Sequence, residues 1–402
     1  MSDVIEVAVC ILGAGPVGGS LAASLASEGV STLVVDSAPL PPMERPEFDG
    51  RAYAIAAASR DTLTRAGLWD LLPGEANPIR HIRVEDGRPG EPASPLTLDF
   101  DAEEAGTGPF GFMVEARDLR IALNRRLEAL ESLTLRAPDK ALSIERSEEG
   151  VTLRLASGAT VKARLLVAAE GRQSPARREA GIGTARFDYR RVGMVGAIAH
   201  ELPHGDGALE KFLPAGPFAQ LPMAPLPEHP HVSAIVWAEK PELAEAALKL
   251  SDEAYGREIE RRMGSHLGRV TPIGRRWSYP LTAMQAMRYA GTRLAIVGDA
   301  AHGMHPIAGQ GLNIGFRDVA ALRDLVLDAM AEGRDPGSPE VLAAYQAKRR
   351  PDALAMIAAT HALERLFGND IAPIRWARRL GIAAVDRLPG LKRAFVRQAM
   401  GI

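Results

Sequence analysis

Asp299, His302 and His305 stand three apart in the stretch GDAAHGMHPIAGQGLN, residues 298–313, which follows the apolar run RLAIV. Carboxylates and imidazoles are metal ligands, and a step of three suits one face of a helix. The same stretch holds Gly303, Pro306, Gly309 and Gly311, which work against a helix there, so no metal centre is expected. No Lys stands beside the glycines, as a P-loop needs to meet phosphate charge. No Ser stands between them, as a hydrolase elbow needs. What remains is a strand-ending acid that accepts hydrogen bonds, followed by a loop that opens a helix. Free N–H groups at such a helix start favour negative charge.

A second glycine loop lies almost the whole chain away. Gly13, Gly15 and Gly18 in GAGPVGGS have the GxGxxG spacing. The loop follows the apolar run EVAVCIL and leads into PVGGSLAASLASEG, which reads as a helix with Pro16 in its first turn. STLVVD then reads as a second buried strand ending at Asp36. Strand, glycine turn, helix, strand and terminal acid together make the dinucleotide fingerprint. The glycines let backbone approach a pyrophosphate, and Asp36 can accept from a ribose diol. A chain that holds an ADP-like group at one end has a long ribityl arm to place at the other. Asp299 can accept from ribityl hydroxyls. The helix start at residues 311–313 would favour the charge of a reduced flavin. The two loops are therefore expected to hold the two ends of FAD.

Around these loops, GRAYAIAAASRDTLTRAGLWDLL and MVEARDLRIALNRRLEAL read as helices. VTLRLASGATVKARLLVAAEG reads as a hairpin around Ser157 and Gly158 that leads into a buried strand. Residues 190–289 change character, with alternating strand-like runs and a helix near 251–267. The chain after residue 313 is mostly helical in pattern. The expected fold is α/β: a Rossmann-like FAD-binding domain with an inserted β-sheet substrate domain and a C-terminal helical segment. Residues 1–75, 106–189 and 290–345 would form the FAD-binding domain, 76–105 and 190–289 the substrate sheet, and 346–402 the helical region.

The formal net charge of -2 offers no basic field for nucleic acid. One cysteine, Cys10, excludes an intramolecular disulfide and reads as a core residue of the first strand. No window approaches the ~18 consecutive apolar residues of a membrane span. The N-terminus reads as the first strand rather than a targeting segment. The expected location is cytoplasmic or peripheral on the inner face of the membrane.

In this order, GAGPVGGS, AAEGRQSPARREAG and GDAAHGMHPIAGQGLNIGFRDVAAL resemble the FAD-dependent aromatic hydroxylases of the para-hydroxybenzoate hydroxylase type. Within that group the chain is most similar to the ubiquinone-biosynthesis monooxygenases, through GRAYAIAAASRDTLTRAGLW, VEARDLRIAL, HPIAGQGLN, YPL and THALERLFGND. The resemblance implies that Gly13, Gly15 and Gly18 meet the pyrophosphate and Asp36 the ribose. Arg51 and Arg117 would reach the phosphates and ribityl region, and Asp299 the ribityl chain. His305, Pro306 and Gln310 would lie beside the flavin. Gly311, Leu312 and Asn313 would face its pyrimidine edge. The middle motif usually reads Asp-Gly. Here it is Glu170-Gly171, which keeps the charge and adds a methylene, and the resemblance implies that this pair helps hold FAD and shapes nicotinamide access.

The implied activity is hydroxylation of a polyprenylated phenol in ubiquinone biosynthesis through a flavin C4a-hydroperoxide. O2 would be co-substrate, and NAD(P)H or a protein donor the reductant. Such a site must be dry, and the cofactor carries the hard chemistry. No general base for the phenol stands out. A hydroxylase of a small soluble aromatic compound, a same-fold prenyl reductase and a non-catalytic FAD-stabilised scaffold are the rivals. Homo-oligomer formation and a ubiquinone-biosynthesis complex stay open as partners. Residues 375–402 carry seven basic residues against one acid, interleaved with apolar ones. Such a segment suits either an anionic membrane surface or packing on the FAD domain.

Overall fold

The structure is a computed structural model that describes residues 3–40, 44, 47–92, 97–106, 108–304, 309–368, 390, 392, 397, 400 and 401. The strand Val4–Leu12 is β-branched and apolar, and it becomes fully buried toward its C-terminal end. It pairs in parallel with Thr160–Ala168 on one side and Thr32–Val35 on the other. Parallel strands covered on both faces are continuous apolar runs of this kind. Leu133–Arg136 extends the sheet beyond Thr32–Val35, and Leu294–Ile296 extends it beyond Thr160–Ala168. The Ser157–Gly158 turn joins Val151–Leu155 antiparallel to Thr160–Ala168. Cys10 is fully buried here, and burial pushes its thiol up to about 12.

A second eight-stranded sheet runs His302–Gly303, Val270–Ala286, Thr184–His200, Val232–Glu239, Gly216–Met223, Gly207–Leu213, His81–Asp86 and Thr97–Asp101. One face is sealed by the helices Pro241–Leu248 and Asp252–Met263 around Phe218, Trp237, Tyr255 and Ile259. A three-stranded sheet of Ala52–Ala56, Gly111–Glu115 and Asn77–Ile79 lies against the other face.

That small sheet corrects two sequence-based expectations. Residues 52–56 and 113–115 lie at the front of segments that read as helical, yet the strands Ala52–Ala56 and Gly111–Glu115 pair antiparallel, Ala52 to Glu115 through Ala56 to Gly111. Helix begins only at Ala57 and at Ala116. Pairing between segments this far apart overrides local propensity. Gly111 is needed there, because a Cβ would lie 2.5 Å from the Ile55 carbonyl oxygen. The expected boundaries at residues 189 and 345 each fall inside a continuous element, Thr184–His200 and Pro339–Phe367. The first is bent where the register shifts between Asp188 and Val192, with Arg190 at φ 54°. Among the described residues no helix is long and apolar enough to cross a membrane.

Candidate cofactor and substrate site

The helix Pro16–Ala26 starts at Gly15 with no side-chain cap, so its first N–H groups remain open. Gly13 and Gly18 are pressed onto the chain. A Cβ on Gly18 would lie 2.1 Å from the Gly13 carbonyl oxygen, and one on Gly13 2.5 Å from that of Ala169. Gly15 is different: a Cβ there meets nothing within 4 Å. Asp36 closes the loop, its carboxylate accepting from the Ala14 N–H at 2.7 Å and the Ala38 N–H at 2.9 Å.

The second loop comes to the same place. Gly298 and Gly315 both abut Val17, in the first turn of that N-terminal helix; a Cβ on Gly315 would lie 2.5 Å from Val17 Cγ2. The helix Gln310–Ala331 starts at Gly309, which is left-handed (φ 62°) and offers no side-chain cap. Gly311 has open space in front of it, like Gly15. Asp299 is half exposed and pairs with Arg172 at 3.2 Å. Two uncapped helix starts, two open glycine faces and two acceptor carboxylates therefore lie in adjoining elements. That donor set fits a dinucleotide, with amides for its anionic groups and acids for its hydroxyls.

Several expected residues have other duties. Asn313 is buried, and its side chain staples the helix start to the small sheet. It accepts from the Ala56 N–H at 2.8 Å and donates to the Ala54 and Gly309 carbonyls. Gly311 and Leu312, beside it at the helix start, are more exposed. Arg51 is paired with Asp49 at 2.7 Å and stacks over Trp277 at 4.5 Å. Arg117 lies 3.1 Å from Glu115 and 3.6 Å from Asp118. It lines a cleft of about 730 Å³ with Glu44, Glu75, Glu115 and Asp118. Four carboxylates make that cleft a poor receiver of phosphate despite its size. Gln310 is buried in the first turn of its helix. His305 and Pro306 lie outside the described residues. His302 turns inward to Asp318, 2.6 Å away, and not toward Asp299.

Glu170 is committed to the chain. Its carboxylate accepts from the Ser174 hydroxyl at 2.6 Å and the Ala176 N–H at 3.2 Å, at the start of the short helix Pro175–Glu179. Burial raises its pKa, and these two donors hold it back. Gly171 (φ 76°) is left-handed beside open space. Glu170→Asp cannot reach both donors from a shorter arm. Its expected cost is about 1 kcal/mol of stability, the scale of one hydrogen bond, with FAD content unchanged. Thermal melts with flavin quantitation check this, and loss of FAD would show that the carboxylate serves the cofactor directly.

Three residues are added by the structure. Arg120 donates to the Ala14 carbonyl at 2.8 Å and so braces the first loop. Arg172 bridges Asp299 and Thr282. Asp318 anchors the second loop through Gly298 and His302. Arg120 lies one turn beyond Arg117, a spacing that shares a helix face. Arg172 and Asp318 stand inside the middle and last motifs, but their contacts depend on packing. Arg177 also belongs to the middle motif, and it is buried and donates to the Ala300 carbonyl at 2.7 Å.

Residues 6–360 match a family described as FAD binding domain. The chain is 50% identical over 393 residues to the ubiquinone hydroxylase UbiL of Rhodospirillum rubrum, covering 98% of this chain and 89% of that protein. It is 34% identical over 396 residues to the 3-demethoxyubiquinol 3-hydroxylase of Escherichia coli, covering 98% of each. Among solved structures, the p-nitrophenol 4-monooxygenase PnpA of Pseudomonas putida superposes with a TM-score of 0.77 at 19% identity, over 99% of this chain and 98% of that one. This last likeness is one of fold.

Proposed function

This chain belongs to the FAD binding domain family, and on that premise we propose that it hydroxylates the aromatic ring of a polyprenylated phenol in ubiquinone biosynthesis. The observation that carries the cofactor half is the pair of open glycine faces, Gly15 and Gly311, at two adjoining uncapped helix starts. The substrate half is supported by two relatives named for ubiquinone hydroxylation that align along 98% of the chain. FAD, when bound, supplies the electron store and the place where O2 is activated. The chain's own residues do the rest. The N–H groups of Gly15, Val17 and Gly18 would hold the pyrophosphate, Asp36 the ribose, Asp299 the ribityl chain, and amides at 311–312 the flavin edge. Pro306 and His305 are proposed beside the ring on the strength of the family motif. The small sheet and the second sheet would close over that end and shut out water.

The sheet built on Val4–Leu12 is the proposed FAD-binding part, and the one built on Thr184–His200 the substrate part. NAD(P)H or a protein donor is the proposed reductant. Contact with a membrane surface through residues 375–402 belongs to the same proposal. Most of that segment lies outside the described residues. Within it Met400 is buried against Ala102 and Phe110, so the end of the tail packs on the protein.

The test is one turnover of reduced, purified enzyme with a short-chain prenyl phenol and isotopically labelled O2. The expected product gains one labelled oxygen on the ring. A product that loses a double bond and gains no label would favour the prenyl reductase. A colourless protein that cannot be reconstituted with FAD would end both readings.

A further inference from the structure

Glu210 lies in the middle of the second sheet with no hydrogen-bond or ion-pair partner among the described residues. The registers place it in a row that crosses seven strands: Leu98, Val84, Glu210, Ala219, Val236, Val195 and Trp277. Paired residues in a sheet share a face. The opposite face of the same strands carries Leu209, Phe218, Ile235, Trp237 and Met194, all buried under the two helices. The Glu210 row is apolar apart from Glu210 itself. Every member but Ala219 is half-buried rather than buried. Such a row is the floor of a recess.

The recess has walls on both sides. Toward one end Ala197, Ala234 and Leu221 pack on Met113 and Ile79 of the small sheet. Toward the other, Phe212 stacks on Phe367 of the Pro339–Phe367 helix, with ring centroids 4.0 Å apart. The row ends at Trp277, beneath Arg51. The small sheet is tied by Asn313 to the start of the Gln310–Ala331 helix, so the wall of the recess carries the flavin-end loop. Phe212, Val84 and Leu98 surround Glu210 with apolar surface. Glu210 is half-buried as a residue, and desolvation of its carboxyl raises its pKa to about 7. Two charged groups also belong to this face. Asp86 pairs with Phe212, and Lys392 lies 5.6 Å from the Phe100 ring.

We infer that Glu210 binds the phenol hydroxyl of the aromatic substrate and takes its proton as the ring is oxygenated. The inference rests on the hydroxylase reading above. As a ring carbon forms its bond to the incoming oxygen, the phenol O–H breaks and its proton passes to the carboxylate. The oxygen lone pair becomes the carbonyl of a dienone. Loss of the C–H proton at the oxygenated carbon, which passes to the departing second oxygen atom, restores the aromatic ring. The carbonyl oxygen then recovers a proton from Glu210, which returns to carboxylate. O2 is the oxidant: one of its atoms enters the ring, and the other leaves as water with two electrons from reduced FAD.

The experiment uses holoenzyme, chemically reduced and then mixed with O2 and a short-chain prenyl phenol. Wild type should lose hydroxylation rate as pH falls below about 7, because the carboxylate must be ionised to accept a proton. Glu210→Gln should hydroxylate about 10²-fold more slowly, without that acid limb, and divert turnover to H2O2. Its FAD content should match wild type. Glu210→Asp should keep the limb and recover part of the rate. Melts of the apoproteins give a readout apart from activity. A raised carboxyl pKa weakens the fold above it, so Glu210→Gln should melt higher than wild type near pH 8 and alike near pH 5. Hydroxylation by Glu210→Gln at the wild-type rate with the same limb, or coincident melts at both pH values, overturns the inference alone. Failure of wild type to hydroxylate overturns the hydroxylase reading and this one with it.

Discussion

A Gly15→Val chain should fold normally and fail to turn yellow. Gly15 has φ -65° and ψ 176°, a conformation open to any residue, and a Cβ there meets nothing within 4 Å. The apoprotein should therefore melt within about 1 kcal/mol of wild type, as substitutions away from packed features do. The branched side chain would nevertheless stand on the face where the N–H groups of the Pro16–Ala26 helix start are open. Backbone approach to the pyrophosphate needs that face clear. FAD affinity should fall at least about 10²-fold, or roughly 2.7 kcal/mol. Gly18→Ala should fail in the other way. Its Cβ would meet the Gly13 carbonyl oxygen at 2.1 Å, so the loop itself must break. Flavin titration paired with apoprotein melts separates the two. If Gly15→Val binds FAD like wild type, the dinucleotide does not lie along this loop.

The contrast between those glycines shows what a sequence can reveal. The GxGxxG spacing, the buried strands on either side and Asp36 are all local patterns, and they locate the first loop. The parallel core is likewise legible, since strands covered on both faces must be continuous apolar runs. The small sheet is not. Residues 52–56 and 111–115 are strands because they find each other, and either segment alone fits the helix that follows it. Asn313 shows the same limit. Its position at a helix start is a sequence fact, whereas its three bonds into the small sheet depend on packing. Glu210 is the sharpest case. In GALEKFL it is an ordinary acid beside a lysine. The sheet sends Lys211 to the face lined by the two helices and Glu210 to the other, a consequence of the two-residue period and the registers of the two flanking strands.

The second loop depends on a buried charge cluster, and Asp318→Asn should cost about 3–5 kcal/mol, the scale of breaking one partner out of a buried ion pair. Asp318 is fully buried. One carboxylate oxygen accepts from the Gly298 N–H at 2.9 Å and from His302 Nε2 at 2.6 Å. The other accepts from Arg349 Nε at 2.8 Å. Arg349 is itself nearly buried, in the Pro339–Phe367 helix, and also pairs with Asp352 at 2.7 Å. A single carboxylate thus joins the turn before Asp299, the His302 strand and the long helix. Asparagine keeps the shape but loses the charge, and its amide nitrogen would point a donor at another donor. Burial alone would raise the Asp318 pKa, but His302 and Arg349 outweigh it and hold the pKa below the usual carboxylate value. The folded state therefore binds that proton less tightly than the unfolded chain does. Its stabilising contribution is full above the unfolded pKa, about 3.9, and is lost as pH falls through the folded value. Wild type and Asp318→Asn should accordingly differ most in denaturant melts near neutral pH and converge in strong acid. Asp352→Asn is the control, since its partly exposed pair should cost about 1 kcal/mol or less. FAD affinity should fall with Asp318→Asn as well, because the Gly298–Ala300 turn that presents Asp299 loses its anchor. Equal losses in the two variants would mean that the buried pair holds neither the loop nor the fold.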